Sequence, residues 1–213
     1  MIEERLERGT PPRVLDAGVR LLPGFALERA RALEEALDEV LAAAPLRHMQ
    51  TPGGRTMSVA MSNCGALGWV TDARGYRYSP CDPASGRPWP AMPEVLRALA
   101  RASAAAAGFA GFDPDACLIN RYQPGARMSL HQDRDERDFS QPIVSISLGL
   151  PAVFLLGGEA RHDRPQRVRL EHGDTLVFGG PARLRFHGVA PLAPGQHERF
   201  GAARLNLTFR KAG

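Results

Sequence analysis

Hydrophobic and polar residues alternate strictly in one short stretch of the chain, and the period of two read there and in a second stretch predicts strands with two chemically different faces. In Arg204-Leu205-Asn206-Leu207-Thr208-Phe209-Arg210 the period of two puts Leu205, Leu207 and Phe209 on one face. Arg204, Asn206, Thr208 and Arg210 fall on the other. In Cys117-Leu118-Ile119-Asn120-Arg121-Tyr122 the same spacing groups Leu118, Asn120 and Tyr122, so an amide and a phenol point the same way. The most apolar run, Ile143 to Gly158, predicts two buried strands separated near Pro151. A period of 3.6 appears in two other places. Ala26 to Ala44 reads as a helix with an apolar stripe of Ala30, Leu33, Leu37, Val40 and Leu41, ended by Pro45. Met92-Pro93-Glu94 opens a second helix that runs through an alanine-rich stretch to Gly108. From Ala116 onward short strands and Gly, Pro and Asp turns dominate, including a tight connection at Glu171-His172-Gly173-Asp174. Two helices followed by many short strands predict a double-sheet β sandwich with helices on its outside.

Composition agrees with a packed domain and excludes several classes. At 213 residues the chain is long enough for a substantial core, and 44% apolar with 23% charged residues is neither fibrous nor disordered. The Ile143 to Gly158 run contains Ser145, Ser147, Gly149 and Pro151 and is shorter than a membrane span requires. Glu3, Glu4 and Glu7 interrupt any secretory leader, so a cytoplasmic location is expected. Cys64, Cys81 and Cys117 lack the number and spacing of a disulfide framework or a thiolate zinc site, and reduced thiols are expected. A formal charge of +4 and a pI near 9.4 are compatible with a phosphate backbone as partner, without requiring one. Neither an internal repeat nor a Pro-, Gly- or Ser-rich linker divides the chain, so one domain is expected over residues 1–213.

The candidate chemistry begins at His131-Gln132-Asp133 and, far downstream, His187. Two imidazoles and one carboxylate on the same side of a metal leave positions open for a cosubstrate and O2, the arrangement of non-heme Fe(II) oxygenases. Taken alone, the spacing is also what an exposed turn and an unrelated strand-end histidine produce. The polar face of the closing strand adds weight. Two arginines spaced along it can clamp the ends of a small dicarboxylate, because each guanidinium fork matches a carboxylate bidentately. On a surface strand the same face would simply be solvated.

The order of several further blocks is more specific than any one of them. They are Thr51-Pro52-Gly53-Gly54, Met57-Ser58-Val59-Ala60-Met61, Cys64-Gly65 with Gly68-Trp69, Tyr76-Arg77-Tyr78-Ser79-Pro80, Asn120-Arg121-Tyr122, Ser129-Leu130-His131-Gln132-Asp133 and Arg204 to Arg210. Together they span nearly the whole chain, and the sequence resembles the AlkB family of Fe(II)/2-oxoglutarate-dependent nucleic-acid demethylases, specifically its bacterial branch. The resemblance implies an α+β, mainly β fold: a double-stranded β-helix (jelly-roll) core over about 115–213, two outer helices, and a nucleotide-recognition lid over about 45–90.

What the resemblance implies for the site is equally definite. Iron is held by His131, Asp133 and His187, which are catalytic through it. The cosubstrate 2-oxoglutarate is bound by Asn120, Arg121 and Tyr122 and by Arg204, Leu205, Asn206, Leu207, Thr208, Phe209 and Arg210. Within that set, Arg204 pairs with its distal carboxylate and Arg210 lies at the metal-side end. The substrate is an alkylated base, extruded from single- or double-stranded DNA or from RNA. Trp69 stacks on the base with His131 on its opposite face, Asp135 meets an exocyclic amine or a cationic ring, and Met61 and Ser145 line the pocket. Tyr76, Arg77 and Tyr78 donate to the phosphate backbone, Arg161 reaches the substrate, and Arg164, Arg167 and Arg169 favour its complementary strand. With O2, the expected reaction converts 1-methyladenine or 3-methylcytosine to the unmodified base, releasing formaldehyde, succinate and CO2 from a monomeric enzyme. Two other readings use part of the pattern. A hydroxylase of a protein or small molecule keeps the iron and 2-oxoglutarate residues but has no need of Trp69, Tyr76 and Asp135. A non-catalytic nucleic-acid binder on the same scaffold has no need of the metal ligands.

Overall fold

The two alternating strands lie side by side at the centre of an eight-stranded sheet. A computed structural model of the chain describes residues 11–213; Glu3, Glu4 and Glu7, which argue against a leader, lie outside the described residues. The elements in chain order begin with β1 (Arg13–Asp16), β2 (Val19–Leu22), α1 (Ala30–Ala43), β3 (Arg47–Gln50) and β4 (Thr56–Gly65). A hairpin of β5 (Gly68–Asp72) and β6 (Gly75–Ser79) follows, then α2 (Glu94–Ala106), β7 (Ala116–Tyr122), β8 (Met128–His131) and β9 (Ile143–Gly149). The chain closes with β10 (Ala152–Leu156), β11 (Gln166–Leu170), β12 (Thr175–Phe178), β13 (His187–Val189) and β14 (Arg204–Arg210). The large sheet has the order β1-β2-β12-β9-β14-β7-β4-β3 and the small one β11-β10-β13-β8. Strand pairing is antiparallel throughout both sheets. This is the expected double-sheet, jelly-roll core.

Two apolar layers hold it together, and the pleat assigns residues to them. Leu205, Leu207 and Phe209 of β14 join Ile119 of β7 and Val144, Ile146 and Leu148 of β9 beneath the helices, packed on Leu33, Leu37 and Val40 of α1 and Leu96, Leu99 and Ala100 of α2. The opposite face of the large sheet, with Leu118 and Tyr122, packs on Phe154, Leu156, Val168 and Val189 of the small sheet. The functional site lies in this second layer. Each buried Leu or Phe contributes roughly 1.5–3 kcal/mol of transfer free energy, so the helices are packing layers that fix the sheet.

The helices match their expected stripes, with one shift. Leu27–Arg29 form a 3-10 turn, so α1 starts at Ala30 rather than Ala26. Pro93 stands immediately before α2, and Gly108 follows it with φ +94, the left-handed conformation that ends helices at glycine. Among the described residues no helix is long and apolar enough to cross a membrane.

The 45–90 segment contributes to two sheets. β3 and β4 are integral strands of the large sheet, with Met61 opposite Asn120 and Cys64 opposite Cys117. The separate two-stranded piece is therefore only the β5–β6 hairpin, within the expected 45–90 segment. The core in turn reaches back before residue 115, since β2 pairs with β12.

Candidate metal and cosubstrate site

β8 and β13 are neighbours in the small sheet, and their register sets His131 opposite His187. Asp133 follows two residues after the end of β8. Ligand atoms of His131, Asp133 and His187 all lie within 4.8 Å of one another. The close approach of β13 to β8 depends on Gly188, where a Cβ would meet the carbonyl oxygen of Met128 at 2.6 Å.

The hydrogen bonds around the two rings suit them to a divalent cation. His131 Nδ1 donates to the carbonyl of Ser129 at 2.8 Å, and His187 Nδ1 donates to the carbonyl of Arg185 at 3.0 Å. A carbonyl can only accept, so each Nδ1 carries the proton and each Nε2 keeps its lone pair for the metal. Burial, with His131 alongside, pushes the pKa of His187 down to about 4, so the ring is neutral at physiological pH. Burial opposes ionisation of Asp133, but Arg210, His187 and His131 outweigh it and hold its carboxyl well below the usual range. Two neutral imidazoles and one carboxylate are the donor set for Fe(II), and the residues fit the ion.

Behind Asp133 lies a buried charge network. Arg210 donates through Nε and Nη2 to Asp133 Oδ2 at 2.8 and 2.5 Å, and its Nε is 3.3 Å from Glu136 Oε1. Arg183 donates to Glu136 Oε2 at 3.1 Å and to the carbonyl of Asp133 at 2.7 Å. Two carboxylates and two guanidiniums thus balance. Arg204 is outside this balance. It is 1% exposed, and among the described residues its hydrogen bond runs from Nη2 to Ser147 Oγ at 2.9 Å, with the guanidinium 5.1 Å over the Tyr122 ring. Its Nε and Nη1 are buried without a partner, as is Asn120 Oδ1. Unsatisfied buried donors on a cation are costly, and here they mark the end of a cavity that also contains the metal-ligand residues.

The cavity wall is the polar face read from the sequence. Asn120 and Tyr122 of β7 and Arg204, Asn206, Thr208 and Arg210 of β14 line it, together with Leu118 and Ser145. Arg121, Leu205, Leu207 and Phe209 do not. The pleat turns the three apolar residues to the helix side and Arg121 away with them, so of the two runs only alternate side chains line the cavity. Phe154 of β10 and Phe178 of β12 close the cavity behind His187, with ring centroids 5.8 and 5.0 Å from it.

The hairpin residues divide. Trp69 and Tyr78 are directly opposed, as are Thr71 and Tyr76, so these four share a face. Trp69 stacks on Tyr76 with centroids 5.7 Å apart and planes at 19°. Its indole N–H donates to Asp135 Oδ2 at 2.8 Å, so one oxygen of the acid expected to meet an exocyclic amine is already engaged. Gly68 permits the hairpin's entry, since a Cβ there would sit 2.3 Å from the indole nitrogen of Trp89. Tyr76 is exposed and open to solvent. Arg77 and Tyr78, expected to donate to phosphate, have partners within the protein. Arg77 is bidentate on Asp72 at 2.9 and 2.7 Å, and Tyr78 donates to Glu136 Oε1 at 2.6 Å, with burial raising its phenol pKa. Met61 is fully buried, opposite Asn120 on the neighbouring strand, and is not among the residues that line the metal-ligand cavity. Arg161 is exposed in the connection after β10, whose last residue, Leu156, stands opposite His187. Glu136, Arg183 and Ser147 were missed altogether. Glu136 sits in the acidic and basic run 133–138, which reads as solvated; nothing in that run marks the one residue that turns inward.

The 2OG-Fe(II) oxygenase superfamily model matches residues 18–210. The alpha-ketoglutarate-dependent dioxygenase AlkB of Escherichia coli is 54% identical over 199 residues, covering 93% of this chain and 92% of that protein; alpha-ketoglutarate is 2-oxoglutarate. This chain belongs to the AlkB family of 2OG-Fe(II) oxygenases. A nucleic acid dioxygenase, ALKBH1 of Mus musculus, is 36% identical over 129 residues, covering 60% of this AlkB-family chain and 33% of its own. The solved structure of OsALKBH1 superimposes with a TM-score of 0.81 at 29% identity, covering 94% of this chain and 100% of that one. The protein is therefore an Fe(II)- and 2-oxoglutarate-dependent dioxygenase, with O2 as second cosubstrate.

Proposed function

We propose that this enzyme removes alkyl groups oxidatively from nucleobases such as 1-methyladenine and 3-methylcytosine, in DNA and also in RNA. The observation that carries the reading is one cavity that joins three convergent metal-ligand atoms to an unpaired buried arginine, beside a hairpin that presents Trp69 and Tyr76. Bound Fe(II), with 2-oxoglutarate and O2, supplies the two-electron oxidation of the N-methyl carbon. His131 and His187 hold the ion through Nε2 and Asp133 through a carboxylate oxygen. Arg204 takes the distal carboxylate of 2-oxoglutarate, with Asn120, Tyr122 and Asn206 around it. Phe154 and Phe178 keep water from the metal's inner side. The aromatic pair on the hairpin receives the extruded base, whose positive ring is favoured by the adjacent carboxylate of Asp135. Oxidation at the methyl carbon yields an N-hydroxymethyl base, which loses formaldehyde without needing a protein base. The enzyme acts as a cytoplasmic monomer.

The test is direct. Fe(II)-loaded protein incubated with 2-oxoglutarate and a 3-methylcytosine oligonucleotide should release formaldehyde and restore cytosine, in step with succinate. Succinate without base restoration, on both DNA and RNA oligonucleotides, would overturn the nucleobase reading while leaving the dioxygenase in place.

A further inference from the structure

A histidine outside the cavity is hydrogen-bonded to the strand end that faces Arg204. Gly149, the last residue of β9, stands in register with Arg204, and a Cβ on it would lie 2.5 Å from the carbonyl oxygen of Ala203. The corner is thus tightly packed. Gly149 N–H donates to His172 Nδ1 at 3.0 Å. Because Nδ1 accepts, the neutral ring carries its proton on Nε2. The rest of the turn braces the same strand end: Gly173 N–H donates to the Ser147 carbonyl at 2.8 Å, and Ser147 N–H donates to the Asp174 carbonyl at 2.9 Å. Ser147 Oγ is the acceptor that orients Arg204. The His172 turn therefore supports both residues against which the arginine is set.

The surroundings of His172 are built from three elements. His197 lies 4.6 Å away between ring centroids, and its own Nδ1 accepts from the N–H groups of Arg199 and Phe200. Phe200 packs on both rings. From α1, Glu34 pairs with Arg199 through one oxygen, while its other oxygen, Oε1, is buried and has no hydrogen-bond partner. Burial and the two neighbours His197 and Arg199 keep a proton off His172, against the pull of Glu34.

We propose that His172 is a positioning residue for 2-oxoglutarate: as a neutral acceptor it fixes the Gly149–Arg204 corner, and a proton at Nδ1 releases it. The imidazolium would confront Gly149 N–H donor to donor, while the negative charge of Glu34 favours its protonation. The inference rests on Arg204 being the cosubstrate's anchor. The enzyme would accordingly lose its hold on 2-oxoglutarate on mild acidification, through a group that touches neither cosubstrate nor metal.

The experiment is calorimetric titration of 2-oxoglutarate into Fe(II)-loaded protein under argon, across about pH 7.5 to 5.5, where histidines exchange protons. His172→Leu, which removes the acceptor, should weaken binding about tenfold, as loss of one buried hydrogen bond does. It should speed hydrogen exchange at the Gly149 amide and leave the KM for the methylated oligonucleotide unchanged. His172→Asn, whose side-chain oxygen accepts but does not titrate, should restore binding and flatten its acid decline. Wild-type affinity for His172→Leu, failure of His172→Asn to rescue, or an acid decline of His172→Asn that parallels wild type would each overturn the proposal. If His172→Leu does not fold, the comparison of His172→Asn with wild type decides alone. Arg204→Met is the control: if it binds 2-oxoglutarate normally, the anchor reading is what fails.

Discussion

Arg204→Met should weaken the enzyme's grip on its cosubstrate and strengthen its fold. The guanidinium is buried with Nε and Nη1 unpartnered, and only Nη2 has an acceptor. Each orphaned donor costs about 1–3 kcal/mol in the cosubstrate-free protein. The bond to Ser147 and the stacking over Tyr122 offset part of this, by roughly 1–2 kcal/mol apiece. Burial accordingly depresses the arginine's pKa, a sign that its charge is under strain when alone. Methionine fills most of the same volume without the charge, so the net gain is about 1–2 kcal/mol, or a melting temperature higher by roughly 3–6 °C for a chain of this size. The same substitution removes the fork that receives a carboxylate. Charge-assisted hydrogen bonds of this kind contribute about 3 kcal/mol, so the KM for 2-oxoglutarate should rise roughly 150-fold. Differential scanning calorimetry of cosubstrate-free protein and succinate formation against 2-oxoglutarate concentration measure the two halves. An unchanged KM, or a melting temperature that falls with it, would refute the reasoning, because a structural arginine loses stability when truncated and a cosubstrate anchor does not.

Three further outcomes follow from the geometry. Metal-free protein should lose stability as pH falls from about 6.5 toward 4. The folded-state pKa of His187 is depressed from 6.5 to about 4, so the unfolded chain binds the extra proton in that window, and the difference of 2.5 units corresponds to about 3 kcal/mol at most. Urea melts of wild type and His187→Phe at several pH values check it, the variant showing the shallower slope. Glu136→Gln should destabilise by about 3–5 kcal/mol, since it strips the counter-charge from Arg183 and leaves Arg210 with Asp133 alone; chemical denaturation measures this. Gly188→Ala should lower stability by about 1–3 kcal/mol and weaken Fe(II) binding, because the added methyl drives β13 from the Met128 carbonyl and separates His187 from His131. Equilibrium metal titration should show the loss even where the variant remains folded.

Much of the core was readable because its code is local. The alternation in β7 and β14 is a property of seven consecutive residues, and the sheet turns it into one wall of a cavity and one wall of a helix-packed core without help from elsewhere. The same rule, applied strictly, separates the side chains of Arg121, Leu205, Leu207 and Phe209 from the cavity wall. What stayed hidden depends on which partner a charged or polar side chain takes in the fold. Arg77 is claimed by Asp72 across the hairpin, Tyr78 by Glu136, and neither pairing shows in residue type. Glu136 and Arg183 are buried charges whose justification is each other, 47 residues apart. The pairing of β4 with β7 was hidden too, because no residue of β4 announces its partner.

The position of β14 has a consequence for the order of events in the cell. The last strand of the chain is not at an edge; it sits between β9 and β7, in the middle of the large sheet. Domains close as units while a chain emerges from the ribosome, and this sheet cannot close until residues 204–210 are out. Those residues include Arg204 and Arg210, whereas His131, Asp133 and His187 are all synthesised earlier. A chain synthesised only as far as β13 therefore has the iron ligands and every strand of the small sheet that pairs them, but lacks Arg204 and Arg210. The topology thus makes the strand that completes the large sheet the same strand that brings Arg204 and Arg210 to the cavity.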